Sequence, residues 1–314
     1  MTPHLIGIDI GGTKCAVCLA TMDGRIVDKL AFPTNEPLGP KQAIEQFTIH
    51  AQALLERHKA TSAAIGISCG SPLDPEHGLI QSPPQLSSWK DVEVVRIFSE
   101  RFSTPAFLDN DANACALAEH RYGAGRNCRN MIFLTFGTGM GAGLILDNRL
   151  YRGTNTYAGE VGHIRLRDSG PIGYHKAGSF EGFCSGAGIA QLARQERAQF
   201  RQVTLLGDNP SAQDVGEAAA QGDALSLRIL EICGHYLGLG LSYLLDILNP
   251  ECIVIGSIFV RCERFLRPAM ERTLAAEALP HTHRVCRIVP AGLGEQVGDY
   301  AAIAVAHQGI QERV

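Results

Sequence analysis

Long runs of any one kind are missing from this sequence. No basic run extends beyond a few residues, and 28 Lys and Arg against 32 Asp and Glu give a formal net charge of −4. Nucleic-acid or membrane-surface binding leaves a basic patch or tail, so the balance points to neither. No stretch approaches the roughly 20 uninterrupted apolar residues of a membrane span. The opening MTPHLIGIDIGG has no basic segment ahead of a long apolar core, so no signal peptide is expected. Low-complexity linkers are absent too, and any domain boundary has to fall inside ordered structure. What remains is 314 residues, 45% hydrophobic and 19% charged, long enough for two globular domains. The ten cysteines are scattered from Cys15 to Cys286 and read as small buried hydrophobes of a reducing cytosol, so the expected location is cytoplasmic.

Glycine carries the sharpest local pattern. Residues 5–20, LIGIDIGGTKCAVCLA, end an apolar run near Asp9 and follow it with Gly11, Gly12, Thr13 and Lys14. The stretch is neither GxGxxG nor the GxxxxGK[ST] of a Walker loop. Glycines after a strand let the backbone approach a ligand, and N–H groups exposed there favour an anion such as phosphate. The plainer alternative is a hairpin turn whose glycines only supply positive φ. The device recurs in NMIFLTFGTGMGAGLILDNRLYRG, where Gly137, Thr138 and Gly139 separate two apolar runs. Two such units, near 5–31 and 130–152, predict duplicate α/β halves facing each other across a cleft.

The intervening chain supports that reading. MDGR predicts a hairpin turn, and Ile44, Phe47, Ala51 and Leu54 or Leu55 give PKQAIEQFTIHAQALLERHKA one apolar helical face. AAIGISCG reads as a buried strand. PAFLDNDANACALAEHRYGAG reads as a strand meeting a helix at Asp109–Asp111, with each of those three residues able to cap it. DNRL predicts a second hairpin turn, and Ala224 to Leu248 a long helix in which Gly234, Gly238 and Gly240 mark close packing. NPECIVIGSIFV is a strand ending in a turn at Gly256.

Four stretches, DIGGTK, DNDANACALAE, FGTGMGAGLIL and AGEVGHIRL, stand in the order and spacing of the ROK family of sugar kinases and related repressors. The chain resembles that family from about residue 5 to its end. The resemblance implies the actin–hexokinase-like (ribonuclease H-like) duplicated two-domain α/β fold with an interdomain cleft. It places a small domain over 1–117, a large one over 118–297, and a C-terminal helix near 298–314 that returns to the first. It also implies an ATP- and Mg²⁺-dependent kinase that phosphorylates a hexose hydroxyl, the 6-OH by expectation, and a homodimer with no nucleic-acid or membrane partner. Family repressors carry a DNA-binding domain ahead of the glycine turn. Eight residues precede Asp9 here, too few for a helix-turn-helix, so the kinase branch is expected. Glucose is the first expectation for the sugar, with N-acetylmannosamine, N-acetylglucosamine, fructose, mannose and allose as the others. A non-catalytic sugar sensor is the alternative from another class.

The resemblance also distributes roles, and each has chemical sense. Phosphoryl transfer needs charge neutralised around the γ-phosphate and an oriented hydroxyl that can lose its proton. Gly11, Gly12, Thr13, Gly137, Thr138, Gly139 and Gly256 are expected at the nucleotide and its phosphates, with Lys14 as an electrostatic helper. Asp9 is expected to hold Mg²⁺ through water. Asp111 matches the family's catalytic base, although a carboxylate at a helix start is also a common cap. Asn110 is expected on a sugar hydroxyl, and Glu160, His163 and Glu181 on the far side of the ring, where a carboxylate accepts from two hydroxyls and an imidazole donates or accepts.

Two departures accompany the match. The family's CGCGxxGCxE stretch, which with the histidine binds structural zinc, is IGYHKAGSFE here, so its cysteine positions are Ile172, Tyr174 and Ser179. These offer no soft donor, and no zinc site is expected; Tyr174 and Phe180 are expected to hold the loop as aromatic plugs. In the first half the family's usual substrate-loop asparagine is Pro84.

Overall fold

The structure, a computed structural model, describes residues 1–313. The chain divides into two compact units, Met1–Arg126 together with the segment from Glu295 onward, and Asn127–Gly294. The division follows the first unit's helix Asp111–Tyr122 to its end, not residue 117 within it, because that helix is one unbroken buried element.

The first unit is built on β1 (Thr2–Ile10), β2 (Lys14–Thr21) and β3 (Ile26–Pro33), α1 (Gly39–Arg57), β4 (Ala60–Cys69), a small hairpin of β5 (Leu73–Asp74) and β6 (Leu79–Ile80), α2 (Val94–Phe102), β7 (Ala106–Asn110) and α3 (Asp111–Tyr122). Its sheet runs in the order β3-β2-β1-β4-β7. The first three strands form an antiparallel meander, and β1, β4 and β7 are parallel. The second unit holds β8 (Met131–Phe136), β9 (Met140–Leu146), β10 (Arg149–Leu150), the ribbon β11 (Ile172–Gly173) and β12 (Lys176–Ala177), α4 (Phe180–Phe183), α5 (Gly186–Gln199), α6 (Ala212–Ala220), α7 (Ala224–Leu248), β13 (Cys252–Ile255), α8 (Ile258–Glu277), α9 (Pro280–Val285) and β14 (Arg287–Pro290). Its order, β10-β9-β8-β13-β14, repeats the first: an antiparallel meander leading into parallel strands. The duplication expected from the two glycine turns is therefore a duplication of topology.

Local chemistry explains these elements. Strand β1 is buried almost throughout because one face meets the core of α1 and the other meets the C-terminal helix α10 (Val297–Arg313). Cys15 and Cys18, at CxxC spacing on β2, point to opposite faces as an i,i+3 strand pair must, and each enters a different apolar cluster. All ten cysteines are free, nine of them buried. Helix α10 lies so close to β4 that a Cβ on Gly66 would come 1.9 Å from Ala302 O. Helix α7 starts on an Asp223 cap accepting from Ser226 N at 2.9 Å and ends on left-handed Asn249. By length and composition it could cross a membrane, but 56% of its apolar window is buried. Cβ atoms on Gly234 and Gly238 would lie 2.4 and 2.5 Å from carbonyl oxygens of α8, so these glycines serve packing, as expected.

Candidate active site

The functional candidates of the first unit gather where β1 and β7 end and α10 begins. The turn after β1 is a true hairpin, but Gly11 and Gly12 are not among the glycines with positive φ. They are needed for room: a Cβ on Gly11 would sit 2.5 Å from Lys14 O, and one on Gly12 would sit 2.3 Å from Gln85 Cβ. Gln85, next to Pro84, thus lies against the turn, a neighbour the sequence did not announce. Thr34 fastens the turn from β3's end, its Oγ1 donating to Gly11 O at 2.6 Å and its N–H to Thr13 O at 3.0 Å. Thr13 and Lys14 are left exposed.

At the β7–α3 junction the capping ambiguity is resolved. Asn110 is the cap, its Oδ1 accepting from Asn113 N at 2.8 Å. Asp109, buried to 1% exposure, accepts from Asn113 Nδ2 at 2.8 Å and from Asn110 N at 2.9 Å. Asp111 therefore stands at the first helical position with no side-chain partner among the described residues. It keeps water-accessible surface, yet the protein atoms crowded around it push its carboxyl above the ordinary carboxylate range, desolvation outweighing the backbone hydrogen bond from Ala112.

Asp9 is more strongly perturbed. Burial, then the charges of Asp299 and Asp111, push its carboxyl up to about 7 against the pull of Lys29 and Lys14. Gly298 leaves space for that carboxyl, since a Cβ there would lie 3.3 Å from Asp9 Oδ2. Asp299 follows in the first turn of α10 and pairs with Lys29 on β3 at 2.5 Å. Neither residue was foreseen, because 270 positions separate them and no motif marks either. A shift of this size is worth about 4 kcal/mol against ionisation. Excess negative charge on hard oxygen donors fits Mg²⁺. Among the described residues no three His, Cys, Asp or Glu converge on a metal cage, so Asp9 fits the partial, water-completed shell that Mg²⁺ commonly keeps.

The second unit repeats the design with different partners. The 137–139 turn joins β8 to β9 and is pinned to the start of α5, where Gly186 N donates to Gly137 O at 2.7 Å. Ser185 caps α5 by accepting from Gly188 N at 3.0 Å. Gly139 leaves room for its neighbour, as a Cβ there would lie 2.8 Å from Glu181 Oε2 and would displace that carboxylate. That same oxygen accepts from Met140 N at 3.0 Å, so Glu181 ties α4 to the turn. Thr138 is exposed. Gly256 ends β13 beside the Phe133 ring, 3.1 Å from where its Cβ would be.

The glycines of AGEVGH press this segment against β9. Gly159, at φ +95°, would place a Cβ 2.0 Å from Ala142 O, and Gly162 would place one 2.2 Å from Met140 O. Their contacts hold Glu160 and His163, both exposed, beside the strand that starts at Met140. Lys176 Nζ donates to His163 O at 2.7 Å, and the Tyr174 ring meets the His163 ring edge-on at 6.1 Å. The expected aromatic plugs divide: Phe180 is fully buried, but Tyr174 is 73% exposed at φ 42°. Tyr174 sits in the two-residue turn of the β11–β12 ribbon, which aims it outward. Ser179, in a cysteine position of the family, is buried and caps α4 by accepting from Gly182 N at 3.1 Å.

Two units of repeated topology, each with a glycine turn at the end of a parallel strand and the first with an acidic cluster beside it, define a phosphate-handling protein of actin–hexokinase type. The ROK family model matches residues 5–309, and the chain belongs to that family. It is 33% identical to a glucokinase of Halalkalibacterium halodurans over 93% of this chain and 92% of that one. It is 26% identical to the xylose repressor of Bacillus spizizenii over 93% of this chain and 74% of the repressor. The crystal structure of a ROK family glucokinase from Streptomyces griseus, in complex with glucose and AMPPNP, superposes with a TM-score of 0.79 at 28% identity, covering 98% of this chain and 100% of that one.

Proposed function

We propose that this chain transfers the γ-phosphoryl group of ATP to the 6-OH of glucose or a closely related hexose. The sugar-kinase class follows from its glucokinase relatives; the individual sugar and the roles below are the proposal. The observation that carries it is the state of Asp111: Asn110 takes the cap, and the raised carboxyl of Asp111 stays available to accept the proton of an attacking hydroxyl. Asn110 offers its amide nitrogen to a sugar hydroxyl. Glu160, His163 and the second oxygen of Glu181 hold the other hydroxyls. The turns at Gly11–Thr13 and Gly137–Gly139 present backbone N–H groups and hydroxyls to phosphate, with Lys14 adding charge and Gly256 lying on the nucleotide side. Mg²⁺, held by Asp9 through water, supplies neutralisation of phosphate charge when bound.

The protein is further proposed to act as a cytoplasmic homodimer without a nucleic-acid partner and without structural zinc. A sugar sensor lacking turnover is the second reading, favoured by the xylose repressor's similarity. The deciding experiment measures ATP-dependent phosphorylation of glucose, mannose, fructose, allose, N-acetylglucosamine and N-acetylmannosamine. Turnover with highest kcat/KM on glucose is expected. Binding of a sugar from this panel without any turnover would replace the kinase by the sensor.

A further inference from the structure

The second unit carries a groove of about 730 Å³ that none of the residues assigned above lines. Its walls come from α5, α7 and α8, and its rim from the loop 167–171. Three guanidinium groups and two carboxylates meet there. Arg228 Nε pairs with Glu196 at 2.9 Å and Arg272 Nη2 with Glu231 at 2.7 Å, which leaves Arg167 as the excess cation. Among the described residues the Arg167 side chain meets only a neutral partner, the Tyr236 hydroxyl 3.3 Å from Nη1. Tyr236 in turn stacks on Phe183, with centroids 3.5 Å apart and planes 13° from parallel.

Each feature restricts the ligand. The volume suits a small organic molecule and exceeds what a bare inorganic anion fills. A guanidinium fork matches two phosphate oxygens. The net excess is a single positive charge, and a polyanion would also meet the carboxylates of Glu196 and Glu231. Those carboxylates and the Gln195 amide suit hydroxyl groups, and the aromatic pair offers an apolar platform. We propose that this groove is a second ligand site for a phosphomonoester of a polyol, of hexose phosphate size, with its phosphate on Arg167 and its ring toward Tyr236.

The site reaches the sugar-holding groups through α4. A Cβ on Gly170 of the rim would lie 2.5 Å from the Phe183 ring, and one on Gly182 would lie 2.2 Å from Pro171 O, so rim and helix are packed directly on one another. Glu181, on the same short helix, gives its carboxylate to Met140 N. Occupancy of the groove therefore changes the KM for sugar, and the product of the proposed reaction belongs to the ligand class. This coupling rests on the sugar-kinase reading; the binding does not.

Calorimetry tests the binding, with a non-hydrolysable ATP analogue present so that its γ-phosphate excludes a product phosphate from the active site. Glucose 6-phosphate, inorganic phosphate and glucose are titrated into the wild type, Arg167→Ala and Arg167→Lys. The ester is expected to bind the wild type, at least tenfold more weakly to Arg167→Ala, and with intermediate strength to Arg167→Lys. Without ester, kcat and KM of Arg167→Ala should stay within twofold of wild type. No ester binding by the wild type, or equal binding by Arg167→Ala, overturns the site. Inorganic phosphate binding as tightly as the ester overturns the polyol assignment. A changed oligomeric state of Arg167→Ala by light scattering overturns it too, making the groove a subunit interface. If no hexose is turned over while ester binding still depends on Arg167, the kinase reading fails and the groove stands.

Discussion

Asp9 and Asp111 are carboxylates of one cluster with different perturbations, and each has its own experiment. Asp9 is held neutral up to about 7, whereas an ordinary aspartate loses its proton near 3.8. The folded state then binds the extra proton, so stability without metal falls as pH rises from about 4 through about 7, by up to roughly 4 kcal/mol. Asp9→Asn should remove that slope, and Mg²⁺ should restore stability to the wild type above pH 7. Thermal unfolding at pH 5 and 8, with and without the ion, reads both effects; a mutant with the wild-type slope would sink the assignment of the raised carboxyl. For Asp111→Asn, the cap on Asn110 survives and the fold with it, while kcat drops about 10²–10⁴-fold. Steady-state assays that place the mutant within threefold of wild type would remove Asp111 as the base. The motif NDAN marked this position from the sequence. It could not choose the capping residue, because Asp and Asn cap comparably well and only the backbone geometry selects one.

At the scale of elements, glycines set how closely segments approach. Gly66 on β4 lets α10 dock against the first unit's sheet, and Ala302 O occupies the space a methyl would need. Gly66→Ala should destabilise the protein by about 3 kcal/mol, toward the upper end for an overpacked core, measured by urea unfolding. A loss below 0.5 kcal/mol would mean that α10 shifts freely. The AGEVGH segment works similarly, with its two glycines fitted to β9 so that Glu160 and His163 project from a fixed base. Alanine at Glu160 or at His163 should raise KM for the best sugar at least tenfold with a smaller fall in kcat, since remote contacts orient the reacting hydroxyl. An unchanged KM in both would make them structural. Strand and helix positions were largely legible here, because the periodicity of α1 and α7 and the hairpin turns MDGR and DNRL are local properties of sequence. The ribbon holding Tyr174 was not, since its outward aim depends on backbone with positive φ and not on the side chain's preference for burial.

For the whole molecule, the loop 171–179 bears on metal content. Ile172 has no donor atom, and Ser179 spends its hydroxyl oxygen on Gly182 N. Elemental analysis of untagged protein should find well under one zinc per chain, with activity insensitive to a zinc-selective chelator. One zinc per chain, lost together with activity, would overturn this expectation. Gel filtration with light scattering should give twice the 33.8 kDa chain mass, and a monomer at micromolar concentration would refute the dimer.

The sequence by itself determined the repeated strand–glycine turn–strand units, the order of the four family motifs and hence the family. These are contiguous patterns, and short-range sterics and periodicity write them into the chain. Tertiary structure alone decided the partners of those motifs. It brought Asp299 and Lys29 from opposite ends of the chain to the Asp9 cluster, laid Gln85 against Gly12, and set Glu181 on the backbone of Met140. It also left Arg167 without a carboxylate among the described residues, in a groove walled by three helices. Desolvation and Coulomb energy depend on distance in space, and spacing along the chain carries no record of that distance.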